Sequence, residues 1–449
     1  MDTTVVYLEN GCIHPDCTLT PQQVLLKHAG GVYTTALFTP DGCVVDWDLH
    51  RQRLLRGIEV LNTRPSQPFQ PLLSTLQAQG SSLSAFLEQA VVPRVREALG
   101  AFFGGRIGSG PGSSCPAGSS PDAHHQQQQQ QQGQGQEQDK DQEQQLLQQQ
   151  QQQHAMFVVI ISPTGTGKAA VVADASATVT GGTEVGLATA AATEGPQQGA
   201  VGGAQELPVS VAVYCKSVQL QPYGSQHAIQ AAVLGAPRPL PVAKAASWVA
   251  ERRSYEERRP AEAAEVLLSD SEGRILEGLT TNFFVIMTAP GAAEPTVATT
   301  ASTTRHAATE DDEGGRTSNS QAQSGDAACE SASSVTAPAS QATLRGCGTD
   351  SAVALPGTAA ARVVEAARRL GLRVELEPPR AAERAQWSEA FVCNSVRGIL
   401  PLSRVFCPQD NAWGADPWDC PLPHAAGPHT SALLAEMRRL QTLTPWNQL

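Results

Sequence analysis

LLSDSEGRILEGLTTNFFV, residues 267–285, decides how the chain is read. With the two preceding residues it opens as EVLLSD, a short apolar run of strand character. Ser-Glu-Gly then supplies a tight turn, after which a short strand leads into NFFVIM. Glu277 stands beside a turn; taken alone, a glutamate there is an ordinary solvated carboxylate.

Working outward, the same alternation of short strands and helical stretches recurs. VVYLE and MFVVIIS (156–162) read as strands, and LPVSVAVYC resumes a strand pattern after position 206. VVDWDLHRQRLLRGIEVL passes from strand into amphipathic helix, with Leu49, Leu54, Leu55, Ile58 and Leu61 forming its buried stripe. Beyond position 240, KAASWVAERRSYEERR reads as a helix. LPGTAAARVVEAARRLGL gives a helix ending near Gly371, RVELE a strand, and WSEAFVCNSVRGILPLSRVF a strand with a connecting loop. The fold class expected from this mixture is α/β.

Two tracts break the pattern. Residues 108–153 are Gly/Ser-rich and then Gln-rich, and 289–352 are rich in Thr, Ala, Gly and Ser; both read as disordered inserts with too little apolar area to offset the entropy of ordering. Residues 171–203 read as loosely ordered. The 449 residues suffice for two ordinary domains, and a net charge of −12 gives no general reason to hold nucleic acid or an anionic membrane. Ten scattered cysteines suit a reducing, cytoplasmic setting better than a disulfide scaffold, with an organellar location left open. Cys12 and Cys17 bracket His14, but no second cluster at zinc spacing follows, so no metal site is expected. No apolar run is long enough to span a membrane, and MDTTVVYLENG lacks a basic region followed by an apolar stretch.

SPTGTGKA, residues 162–169, follows a strand as a phosphate-cradling loop does. Ser162 and Ala169, however, stand where that motif needs Gly and a magnesium-binding hydroxyl. Lysines number five: Lys27, Lys140, Lys168, Lys216 and Lys244. Schiff-base chemistry needs an amine on an ordered scaffold, which removes Lys140 and Lys168 and leaves three.

AGGVYTTA (29–36), WDLHRQRL (47–54), LLSDSEGRILEGLTTNFFV, LPG (355–357) and EAFVCNSVRGILP (389–401) together resemble the class IV aminotransferases. These are pyridoxal-phosphate enzymes of fold type IV that include branched-chain and D-amino-acid aminotransferases and 4-amino-4-deoxychorismate lyases. The resemblance implies a smaller N-terminal domain (1–230), a larger cofactor-binding domain (231–449), pyridoxal phosphate between them, and a homodimer. Lys244 precedes Glu277 by 33 residues, the family's separation, whereas Lys216 precedes it by 61. The resemblance therefore makes Lys244 the Schiff-base lysine and Glu277 the carboxylate on the cofactor's ring nitrogen, where it keeps that nitrogen protonated. Arg53, Thr280, Thr281 and Ser395 match phosphate-side positions; Tyr33, Thr34 and Thr35 match the substrate side. The chain departs from the family's LPGxTR, with Ala359 and Ala360 at the usual Thr and Arg and Thr358 one position early. The implied reaction is amino transfer between an amino acid and a keto acid. The alternatives are elimination of pyruvate from 4-amino-4-deoxychorismate, or a noncatalytic binding protein.

Overall fold

The computed structural model describes residues 5–14, 17–107, 154–164, 207–220, 228–288, 342–348, 351–422 and 426–449, without the side chains of 104–107. The chain is a mixed α/β protein of two domains, each built on its own sheet. The first sheet comprises β1 (Val5–Glu9), β2 (Cys12–His14), β3 (Val32–Phe38), β4 (Cys43–Val45), β5 (His154–Pro163), β6 (Val209–Val218) and β16 (Leu443–Pro445). Their order is β16-β4-β3-β5-β6-β1-β2. Period-two alternation gives this sheet two apolar faces. Val32, Ala36, Phe38, Phe157 and Val159 pack toward α2 (Trp47–Asn62), which follows α1 (Pro21–Lys27). Tyr33, Val158, Ile160 and Tyr214 line the other face.

The second sheet holds β7 (Ile229–Gly235), β8 (Glu265–Ser269), β9 (Ile275–Gly278), β10 (Asn282–Thr288), β11 (Ala342–Gly346), β12 (Arg373–Glu375), β13 (Trp387–Asn394), β14 (Gly398–Cys407) and β15 (Trp418–Pro421). Its order is β12-β11-β10-β13-β14-β7-β8-β9, with β15 on β14, and a further pairing of β9 with β10 closes six of these strands into a ring. Phe283, Val285, Ala390 and Val392 point into the ring, whereas Phe284, Ile286 and Phe391 point out toward the helices Thr358–Arg369 and Pro428–Leu440. NFFVIM is apolar at consecutive positions because both of its faces are buried.

Several sequence expectations change here. The stretch after Lys244 forms two short helices, Trp248–Glu251 and Arg253–Arg258, rather than one. WSEAFVCNSVRGILPLSRVF is an antiparallel pair, β13 and β14, rather than one strand and a loop. The insert expected over 289–352 is corrected at its C-terminal end. Ala342–Gly346 is a strand paired with β10, where Ala342 and Leu344 are buried and a Cβ at Gly346 would collide with Phe284. Residues 289–341 of that insert, the Gln-rich 108–153, the 171–203 tract, Lys140 and Lys168 lie outside the described residues. The eight cysteines that are described are all free, and among the described residues no helix is long and apolar enough to cross a membrane.

Candidate active site

The ring closes at a single residue pair, Glu277 opposite Asn282, across the turn Gly278–Thr281. Gly278 N donates to Thr281 O at 2.8 Å, and a Cβ on Gly278 would collide with the Thr281 hydroxyl and press on Glu265. Beneath the turn, buried Glu265 accepts Val266 N and the Thr281 hydroxyl, each at 3.0 Å. Burial raises the proton affinity of Glu265, against the pull of these donors.

Leu355 and Pro356 bind this seam and Arg53 through their backbone. Leu355 N donates to Glu277 Oε2 at 3.1 Å, Leu355 O accepts Asn282 Nδ2 at 2.8 Å, and Pro356 O accepts Arg53 Nη2 at 2.9 Å. Asn282 lies so close that only glycine fits at 357. The helix Thr358–Arg369 starts directly after it, with no side-chain cap on Gly357. Thr358 is buried and its Oγ1 has no hydrogen-bond partner, while Ala359 and Ala360 pack into the apolar layer outside the ring.

Lys244 comes from the segment between β7 and Trp248, which lies along β3. Tyr33 N donates to Lys244 O at 3.0 Å, Ala246 N donates to Gly31 O at 2.9 Å, and Val32 bridges Ala245. The Lys244 amine sits 4.8 Å from the centre of the Tyr33 ring. Burial pushes this amine well below the usual lysine range, and the charges of Arg53, Arg238 and Arg252 push it further, with Glu277 opposing. The shift favours the uncharged, nucleophilic form of the amine. Burial also draws Arg53 down to about 10, which leaves it cationic.

Glu277 is 1% exposed. Burial raises its proton affinity; Arg238, Leu355 N and Lys244 act in the other direction. Arg238 Nε lies 3.3 Å from Oε1, yet neither atom makes a hydrogen bond. One carboxylate oxygen is thus seated on the backbone and the other is left for a further donor.

A small cleft opens here, lined by Tyr33, Arg238, Lys244, Trp248, Glu277 and Thr280 among others. Of the residues singled out in the sequence, it gathers Tyr33, Lys244, Glu277, Thr280 and Thr281, although the Thr281 hydroxyl is engaged with Glu265. Arg53 stands behind the cleft with its Nε unpartnered. Strand alternation separates Thr34 from Tyr33: Thr34 faces α2 and its hydroxyl meets His50 Nδ1 at 2.7 Å. Ser395 donates to Thr35 O at 2.7 Å and so ties the β13–β14 turn to β3. Sequence reasoning missed Arg238, six residues before Lys244, and Trp248, four after it. Their proximity to Lys244 was the available signal, since both fall on one short connection.

No family model matches the chain, and no curated protein does. Solved structures similar to it include a branched-chain aminotransferase from Thermoproteus uzoniensis with norvaline, at 14% identity, covering 97% of this chain and 94% of that one, with a TM-score of 0.46. A branched-chain amino acid aminotransferase from Thermobaculum terrenum is 11% identical over 100% of both chains, with a TM-score of 0.49. The 4-amino-4-deoxychorismate lyase from Pseudomonas aeruginosa is 15% identical over 96% of this chain and 98% of that one, with a TM-score of 0.44. The functional reading rests on the residues of the cleft.

Proposed function

We propose that this chain is a pyridoxal-phosphate enzyme of fold type IV that moves an amino group between an amino acid and a keto acid at Lys244. The observation that carries this reading is the meeting, in one cleft, of a lysine amine whose charged form burial disfavours and a buried carboxylate whose Oε1 has no hydrogen-bond partner. The residues fit the cofactor. Lys244 would hold its aldehyde, Glu277 Oε1 would accept the ring N–H, and Arg53 Nε and Thr358 Oγ1, both buried and unpartnered, would receive the phosphate at the start of the helix Thr358–Arg369. Thr358 thereby offers a hydroxyl where the sequence lacks the family's Thr and Arg at 359 and 360. Thr280 and Thr281 contribute through their turn, and Ser395 through its place on Thr35.

Bound pyridoxal phosphate supplies a ring that accepts the electron pair left when a substrate α-carbon loses its proton. Lys244 Nζ, whose charged form burial disfavours, would take that proton and return it. Tyr33, beside the amine, orients the substrate. The same reading divides the chain near residue 230 into a smaller and a larger domain and takes the homodimer as its working form.

The test is borohydride reduction of the protein with pyridoxal phosphate, followed by peptide mapping. A fixed adduct on Lys244, absent from Lys244→Ala, is the expected result. No adduct on wild type at saturating cofactor sinks the reading and leaves a binding protein. Product analysis then separates amino transfer from release of pyruvate and 4-aminobenzoate, which would assign the lyase reaction.

A further inference from the structure

We propose that Arg238 is a positioning residue that keeps the Glu277 carboxylate ionised and aimed into the cleft, and so sets how firmly the site holds a protonated ring nitrogen. This rests on the reading of the cleft as a pyridoxal-phosphate site. Three observations carry it.

Arg238 is placed independently of Glu277. Its guanidinium lies 4.6 Å from the centre of the Trp248 ring, and Trp248 Nε1 donates to Leu279 O at 2.9 Å. Leu279 belongs to the same turn as Glu277, so the cation is clamped to the carboxylate's own loop through an aromatic ring. Second, Arg238 and Glu277 are both buried, and their 3.3 Å approach carries charge without a hydrogen bond. A bidentate pair would occupy Oε1; this contact stabilises the anion and leaves that oxygen free. Third, the remaining neighbours do not replace Arg238. Lys244 faces Glu277 but draws its carboxyl down less than Arg238 does, and Glu265 on β8 repels it. Cys347, after β11, also faces it; burial and the Glu277 charge push that thiol up to about 12, so it stays uncharged. Among the influences opposing burial at Glu277, the charge of Arg238 is the largest.

Without a cation, a buried carboxylate takes up a proton and stops acting as a counter-charge. The ring nitrogen then loses its own proton, and with it much of its capacity to accept electrons.

The test uses full-length protein and carbon-13 NMR of glutamate carboxyls, with the Glu277 signal assigned by its loss in Glu277→Gln. In the cofactor-free protein, Arg238→Gln is expected to raise the Glu277 titration midpoint by about 1–3 pH units, and Arg238→Lys to restore most of it. Trp248→Leu keeps the charge and loosens its seat, so a smaller rise is expected. That variant decides the matter should Arg238→Gln not fold. With pyridoxal phosphate labelled at the ring nitrogen, the nitrogen-15 signal is expected to move toward the unprotonated position in Arg238→Gln. A loss of thermal stability with an unchanged Glu277 midpoint overturns the proposal and leaves Arg238 a packing residue. Failure of wild type to form the Lys244 adduct would instead remove the cofactor reading, while the cofactor-free titration still decides the role of Arg238.

Discussion

Glu277 and Glu389 are almost equally buried, at 1% and 2% exposure, yet their carboxyls are displaced in opposite directions. Glu389, on β13, receives His429 N at 3.0 Å, Thr430 N at 2.7 Å and His429 Nδ1 at 2.9 Å, at the first turn of the helix Pro428–Leu440. Its proton affinity falls below the ordinary glutamate range: burial alone would raise it, and the hydrogen bonds of His429 and Thr430 prevail. Glu277 has one backbone donor and a cation that approaches without a hydrogen bond, and burial prevails. Burial therefore does not decide the role of either side chain. Where every oxygen is satisfied by the fold, the carboxylate holds structure; where one is left over, it is available to a ligand.

Glu277→Gln tests this contrast most severely. Amino transfer is expected to fall by about 10²–10³-fold, as when a preorganised electrostatic partner is removed, with no loss of resistance to urea. A variant that unfolded readily would place Glu277 with Glu389. Next in size, Glu389→Ala strips the partners from two backbone N–H groups and is expected to cost about 3 kcal/mol in a urea titration, with Glu389→Gln costing less. A smaller effect, Thr281→Val, removes the hydroxyl bond to Glu265 and is expected to cost about 1–2 kcal/mol while weakening cofactor binding only slightly.

Acidification separates the two glutamates by sign. Because the Glu389 carboxyl is shifted down, its stabilisation is present above the unfolded value near 4.5 and is lost as pH falls through the folded one. Glu277 is shifted up, so its ionised form costs stability at neutral pH and that cost is relieved as pH falls through its raised value. Relative to Glu277→Gln, wild type should gain stability on mild acidification; relative to Glu389→Gln, it should lose stability in the acid range. Parallel urea titrations carried from neutral pH to well below the unfolded glutamate value read both slopes, and equal slopes would erase the distinction.

Much of this arrangement was legible in the sequence. Strand alternation and turn residues located β8, β9 and β10, and the helical stripe of α2 was read as core, as Leu54, Ile58 and Leu61 are. The separation of Lys244 from Glu277 selected two residues that do share a cleft. What escaped reading has no side-chain signature. Leu355 and Pro356 act through backbone N–H and C=O groups, which every sequence carries. Arg238 looks like any loop arginine until Trp248 and Glu277 converge on it. β11 is five residues beside a low-complexity tract, too short for its alternation to stand out.

The pairing of β16 with β4 has a consequence for how the molecule is made. Leu443 lies opposite Val45 and Trp446 N donates to Gly42 O, so the edge of the first sheet is covered by residues from the far end of the sequence. During synthesis that edge stays open until every strand of the second sheet has been made, and an open edge invites pairing with other nascent chains. Asp46, beside β4, waits likewise for Thr442, and for a shorter stretch of chain for Arg362. The strand Cys43–Val45 is therefore sealed only after the strands of the second sheet have been made.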